Sequence, residues 1–181
     1  MRYLLASASP RRKFLLSHLL SSFEVAVSNF EEIDAGRPRA VALLNAVGKA
    51  RAVQFNGVII AADTLVYANK KIYGKPKDAK DAIRILEELS GKWLSVYTGI
   101  CVRLGEEELV ECEVTRIKFG VLRREEIQDY VATGSPMDKA GAFGTEDKSA
   151  AFIEKISGDY FNVLGLPIYR LKKMLEKIDK N

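Results

Sequence analysis

Tyr3-Leu4-Leu5-Ala6-Ser7-Ala8-Ser9-Pro10-Arg11-Arg12-Lys13-Phe14-Leu15-Leu16 opens the chain, and its two halves ask for different backbones. Arg2 to Ala6 is a short apolar strand. Ser9 is an N-cap with Pro10 at the first helical position, so a helix begins there and runs to about Leu20. A strand passing into a helix through a turn of small and hydroxyl residues is the first βα step of an α/β fold. Beyond it, Phe23 to Val27 alternates as a strand, and Arg37 to about Phe55 forms a long helix with Pro38 near its start. Val58 to Ala62 is an apolar, β-branched run that reads as a buried strand ending at Asp63.

Ala68 to Lys71 forms a turn, and Asp78 opens a third helix that Gly91 stops. Val96 to Val121 reads as a hairpin, and Arg123 to Thr133 as a helix ended by Gly134. Ser135 to Ala150 is a loop long enough to suggest a binding role. A strand from Ala151 to Ile156 and a basic helix after Gly165-Leu166-Pro167 close the chain. The βα start combined with an antiparallel hairpin predicts an α/β fold, a mixed sheet flanked by helices. No linker, repeat or low-complexity segment divides it, so residues 1–181 read as one domain.

With 181 residues, 48% of them hydrophobic and 29% charged, the chain can bury a core without disulfides or a structural metal. Its 28 Lys plus Arg against 24 Asp plus Glu leave a net charge of +4, which suits an anionic ligand but not the dense basic stripe of a nucleic-acid binder. A basic C-terminal face of Lys172, Lys173, Lys177 and Lys180 is diluted by Glu176 and Asp179 and reads as solvated.

The lone histidine, His18, sits among leucines in a helical pattern, which excludes a Ser-His-Asp triad. Neither CxxC nor HExxH spacing occurs, which argues against zinc. Matching the apolar positions Ile100, Val102 and Leu104 with Val114, Cys112 and Val110 places Cys101 and Cys112 on opposite faces of the hairpin, as free thiols in a reducing cytoplasm. Ser9 to Leu15 superficially looks like a twin-arginine export signal. Ser17, His18, Ser21, Ser22 and Glu24 interrupt the apolar core such a signal needs, and no segment has the length of a membrane span, so a cytoplasmic protein is expected.

Ser7 to Arg12 gathers hydroxyls, backbone amides and two guanidinium groups where phosphate oxygens could be held, without Walker A spacing. Asp63, expected at a strand's carboxyl end, is placed to activate water or bind a metal. Glu31 and Glu32 lie in a loop, Lys49 on a helix and Lys75 in Gly74-Lys75-Pro76. Singly, each has an ordinary reading as a cap, a solvated acid or a surface lysine.

Together these stretches resemble the Maf family of nucleotide pyrophosphatases, of inosine triphosphatase-like architecture, over nearly the whole chain. The matching blocks are Leu5 to Arg12, Asn29 to Glu32, Lys49-Ala50-Arg51, Ala62-Asp63-Thr64, Gly74-Lys75-Pro76, Val96 to Gly99, Tyr130 to Phe143 and Gly158 to Pro167. The resemblance implies two lobes around a nucleotide cleft. It also implies hydrolysis of a nucleoside triphosphate between the α and β phosphorus atoms, in a house-cleaning or nucleotide-pool role. Asp63 is then the proton acceptor, and Arg12, Glu32, Lys49 and Lys75 touch phosphate or metal. Ser7 and Ser9 join them at the phosphates, with Glu32 and Asp63 as ligands of Mg²⁺ or Mn²⁺. Similar proteins often dimerise.

Two features depart from the family pattern. Leu94 stands where a His is common. Arg11 and Thr64 match the branch acting on dTTP and UTP, but Glu146 replaces its Gln, whereas the 7-methyl-GTP branch carries Trp, Gln and Glu at the three places. An ionised Glu146 facing pyrimidine O4 would repel it, so Glu146→Gln is expected to raise the UTP-over-GTP preference about tenfold. Two further readings stand beside a pyrimidine-triphosphate hydrolase: purine or 7-methyl-GTP specificity, and a nucleotide-binding regulator of cell division without turnover.

Overall fold

The structure is a computed structural model and describes residues 1–179. Its strands are β1 (Tyr3–Ala6), β2 (Glu24–Ala26), β3 (Val58–Ala68), β4 (Lys71–Tyr73), β5 (Trp93–Leu104), β6 (Glu107–Phe119) and β7 (Ile153–Ser157). Its helices are α1 (Pro10–Leu16), α2 (Pro38–Arg51), α3 (Ala79–Leu89), α4 (Arg124–Ala132), α5 (Tyr160–Val163) and α6 (Ile168–Ile178). The seven strands form one sheet in the order β2-β1-β3-β5-β6-β7, with β4 added to β3. β1 runs parallel to β2 and β3 and every other pairing is antiparallel, giving the expected mixed sheet. Parallel neighbours need a crossover, which α1 and α2 supply.

β3, β5 and β6 are long enough to run through two lobes. In the first, Val58, Ile60 and Ala62 pack with Leu15 and Leu16 of α1 and Leu171, Met174 and Ile178 of α6. The intervening Ile59 and Ala61 face the opposite way, onto Ala46 and Ala50 of α2, as the two-residue period of a strand requires. In the second lobe, Val66, Val96, Ile117 and Phe119 meet Leu86 and Leu89 of α3 and Ile127 and Tyr130 of α4. The cleft lies where these clusters separate.

Several local expectations change. α1 stops at Leu16, short of Leu20, because the Ser17 hydroxyl donates to Phe14 O at 2.6 Å and the N–H groups of His18 and Leu19 turn back to Leu15 and Leu16. His18 is exposed beside Phe14, a structural position as read from sequence. The Ser135–Ala150 loop is ordered into three short 3₁₀ turns, and α5 was not legible as a helix.

The hairpin register also differs. Gly105 and Glu106 make the turn, so Cys101 lies opposite Val110 and Cys112 opposite Gly99. Both cysteines therefore share one face, contrary to the expectation of opposite faces. Apolar matching failed because Glu111 and Glu113 occupy the α6 side, where Arg170 holds both carboxylates at 2.6 Å. The thiols are nonetheless free and buried, and burial pushes Cys101 up to about 12.

α2 seats directly on β5. A β carbon on Gly99 would lie 2.2 Å from Ala42 O, and Gly99 is the cross-strand partner of Asp63. Gly99→Ala should therefore lift α2 from the sheet. We expect a loss of about 1–3 kcal/mol in thermal unfolding, with a fall in activity as Lys49 is carried away from Asp63.

Candidate active site

β1 ends at Ala6, and Ser7 to Ser9 turn the chain over its end into α1. The Ser9 hydroxyl accepts the Arg12 N–H at 3.4 Å, which starts α1 and aims Arg12 back into the cleft. The Arg12 side chain is then fixed on three sides. Its Nε–H donates to Gly165 O at 2.8 Å, Nη1 to Ser7 Oγ at 3.3 Å and Nη2 to Thr64 Oγ1 at 2.9 Å. Three bonds leave two of a guanidinium's five N–H groups for a ligand. Burial pulls its pKa below the ordinary value, while Asp63 and Glu32 pull it up.

Asp63 does not end its strand: β3 continues to Ala68 because β5 pairs with it as far as Tyr67. The parallel partner β1 is last paired at Ile60, however, so Asp63 still lies just past the carboxyl end of the parallel segment. It is 5% exposed. One oxygen meets Lys49 Nζ at 2.6 Å, and the other accepts from Asn45 Nδ2 at 3.0 Å. Asn45 and Lys49 are one turn apart on α2, hence on one face. Asn45 also clamps the loop before α2, accepting Ile33 N–H at 2.8 Å and donating to Ile33 O at 2.9 Å.

That clamp presents Glu32, whose carboxylate reaches the same Lys49 Nζ at 2.6 Å. Phe30 holds the loop from the other side by lying over Gly48, where a β carbon would come within 2.3 Å of its ring. Glu32 and Asp63 thus converge on one cation. Sequence reasoning missed Asn45, although its spacing of four from Lys49 was a usable signal.

Arg12, Glu32, Lys49 and Asp63 line a cavity of about 320 Å³ together with Ser7, Ser9, Arg11, Thr64, Lys75, Lys139 and Phe143. Lys75 is exposed at the rim, in a loop tied across the cleft by Gly141 N–H donating to Gly74 O at 2.9 Å. Lys139, from the Tyr130 to Phe143 stretch, is 7% exposed. Its ammonium donates to Ser135 O at 2.7 Å and Asp138 at 2.9 Å, so it secures the loop. Behind it, Asp147 receives Ser135 Oγ at 2.6 Å, Tyr130 OH at 2.9 Å and Ser149 N–H at 2.9 Å. Burial would raise its pKa, but these hydrogen bonds hold it well below the usual carboxylate range.

Glu146 stands apart from the cavity lining. One of its oxygens binds Arg11 Nη1 at 2.6 Å, and the other accepts the Thr145 N–H at 2.9 Å. Both of its oxygens are thus engaged within the protein. Arg11 itself lines the cavity, so Glu146 competes with a ligand for its guanidinium. Glu146→Gln should therefore lower KM for every nucleotide and leave the UTP-to-GTP ratio of kcat/KM unchanged, which steady-state kinetics on both substrates checks. The pair is partly exposed, so its loss should change stability by only about 0–1 kcal/mol.

Comparison with known proteins agrees with this architecture. The chain is 45% identical over 183 residues to a dTTP/UTP pyrophosphatase of Aquifex aeolicus, covering 99% of this chain and 96% of that protein. It is 44% identical over 176 residues to a dTTP/UTP pyrophosphatase of Thermosipho africanus, covering 97% and 92%. The fold is also that of the Staphylococcus aureus Ham1 protein, with a TM-score of 0.55 at 15% identity over 98% of this chain and 100% of that one. The family model for Maf-like proteins matches residues 2–178, and the chain belongs to the Maf family.

Proposed function

We propose that this protein is a nucleoside triphosphate pyrophosphatase that prefers pyrimidine nucleotides, cleaving the α–β anhydride to a nucleoside monophosphate and pyrophosphate. The observation that carries the reading is a buried carboxylate, Asp63, sharing the Lys49 ammonium with Glu32 on the wall of a cation-lined cavity. Relatives named for dTTP and UTP supply the substrate class.

A carboxylate has about four acceptor positions, and Lys49 and Asn45 fill two on Asp63, so it can still take a proton from water. Lys49 and Lys75 neutralise charge building on the phosphates, and Arg12 does so with its free N–H groups. Arg11 supplies a further guanidinium once Glu146 releases it.

Glu32 and Asp63 fit a hard divalent cation, because their oxygens already share one positive centre at 2.6 Å. Among the described residues no group of three His, Cys, Asp or Glu forms a protein-only cage, so water and phosphate oxygens would complete the coordination, as suits Mg²⁺ or Mn²⁺. Such an ion would polarise the α-phosphoryl group when bound.

No described helix is long and apolar enough to cross a membrane. Two buried free thiols fit a reducing compartment, in support of a cytoplasmic nucleotide-pool role. On the C-terminal helix, Lys172 and Lys173 pair with Glu176 and Lys177 with Glu111, which supports the reading of a solvated face; Lys180 lies outside the described residues. Pyrophosphate release across a panel of nucleotides tests the proposal. Release from UTP and dTTP ahead of purines is expected, whereas binding without release would favour a regulator.

A further inference from the structure

Asn45 is 2% exposed, and its carbonyl oxygen and both side-chain N–H groups are already bonded. The oxygen accepts Ile33 N–H at 2.8 Å, and the N–H groups go to Ile33 O at 2.9 Å and Asp63 Oδ2 at 3.0 Å. No N–H is left for a substrate, so Asn45 serves the site through the groups it holds. Those contacts close a ring. Ile33 follows Glu32 in the chain, the Glu32 carboxylate meets Lys49 Nζ at 2.6 Å, Lys49 Nζ meets Asp63 Oδ1 at 2.6 Å, and Asp63 Oδ2 returns to Asn45.

Two links of that ring pass through Lys49, the ammonium that the reaction needs on the phosphates. When Lys49 turns to a triphosphate, Glu32 and Asp63 lose their shared cation, and carboxylates this close repel each other. Asp63 is carried by β3, but Glu32 is carried by the irregular segment between β2 and α2, with its side chain 55% exposed. Asn45 holds that segment by both backbone groups of Ile33. We propose that Asn45 is a positioning residue for the divalent cation: it keeps Glu32 and Asp63 set as a pair once Lys49 has left them. This rests on the reading of the protein as a triphosphate pyrophosphatase with a divalent cation at Glu32 and Asp63.

One helix performs both duties. Asn45 and Lys49 stand one turn apart on α2, so each addresses its own oxygen of Asp63. The flexible stem of Lys49 can follow a phosphate, whereas the short Asn45 side chain stays where the helix puts it. Phe30, lying over Gly48, presses the segment that carries Glu32 onto the same helix at a second point.

The test is Mn²⁺ binding without nucleotide, read by electron paramagnetic resonance of the free ion, in the wild-type protein, Asn45→Leu and Asn45→Ala. Glu32→Gln marks the binding that remains outside the site. An ion between the two carboxylates displaces Lys49 as a phosphate does, so removing the Asn45 amide should raise the Mn²⁺ Kd about tenfold or more. Binding of UTP in the presence of a chelator, carried by Arg12 and Lys75, should stay near the wild-type value, which a general loosening of the cleft would not allow. Excess Mn²⁺ should restore most of kcat in both variants. Asn45→Leu keeps the side-chain volume and Asn45→Ala relieves any crowding, so one stays readable if the other fails to fold. An unchanged Mn²⁺ Kd in the variants, or equal losses of Mn²⁺ and metal-free UTP binding, would overturn the inference. So would a wild-type protein that hydrolyses UTP yet binds Mn²⁺ no better than Glu32→Gln. A wild-type protein that releases no pyrophosphate from UTP would instead overturn the functional reading on which the inference rests.

Discussion

Asp63→Asn should lose turnover by about 10²-fold or more while keeping most of its nucleotide affinity. The amide is nearly isosteric with the carboxylate but is a poor base and a weaker ligand for a cation. The site also predicts a secondary effect. Asp63 accepts from Lys49 at 2.6 Å and from Asn45 at 3.0 Å on its two oxygens, whereas an amide has one acceptor oxygen, so one of these donors loses its partner. A modest drop in thermal stability should therefore accompany the kinetic loss, and saturating UTP should restore part of it by binding the folded state. Turnover, equilibrium binding and thermal unfolding measured on one preparation separate the two effects. Near-normal turnover would remove Asp63 from the chemistry.

Arg12→Ala should weaken binding of a non-hydrolysable triphosphate by about 10–100-fold, the worth of one or two hydrogen bonds to charged oxygens, and leave binding of the free nucleoside almost unchanged. Because the guanidinium is held by Gly165, Ser7 and Thr64, its remaining N–H groups are pre-aimed and little ordering is lost on binding. Wild-type affinity should fall with added salt more steeply than that of the variant. Calorimetric titration at two ionic strengths decides this, and equal weakening of nucleoside and triphosphate would take Arg12 away from the phosphates.

The parts of the fold legible in the sequence were those with strong local chemistry. Ser9-Pro10 fixed the start of α1, Asp78 the start of α3, and the apolar run Val58 to Ala62 the centre of the sheet. Features set by tertiary pairing were not legible. β3 outruns its apolar run because β5 pairs with it past Asp63, and the register of β5 on β6 follows a two-residue turn and the Arg170 ion pairs instead of matched apolar faces.

The site divides in the same way. Glu32, Lys49, Asp63 and the Ser7–Arg12 turn were singled out by residue type and do meet around one cavity. Asn45 acts by fixing other groups, and a hydrogen bond between residues 34 apart in the chain, such as Thr64 to Thr98, leaves no local pattern to read. Glu146 was legible as a departure from the family pattern, but its ion pair with Arg11 needed coordinates.

The central claim is that water, relieved of its proton by Asp63, attacks the α phosphorus with pyrophosphate as the leaving group. Hydrolysis of UTP in ¹⁸O-labelled water, with the products separated and weighed by mass spectrometry, tests this most directly. The account predicts one ¹⁸O in UMP and none in pyrophosphate. Label in pyrophosphate, or UDP and labelled orthophosphate as products, would contradict it.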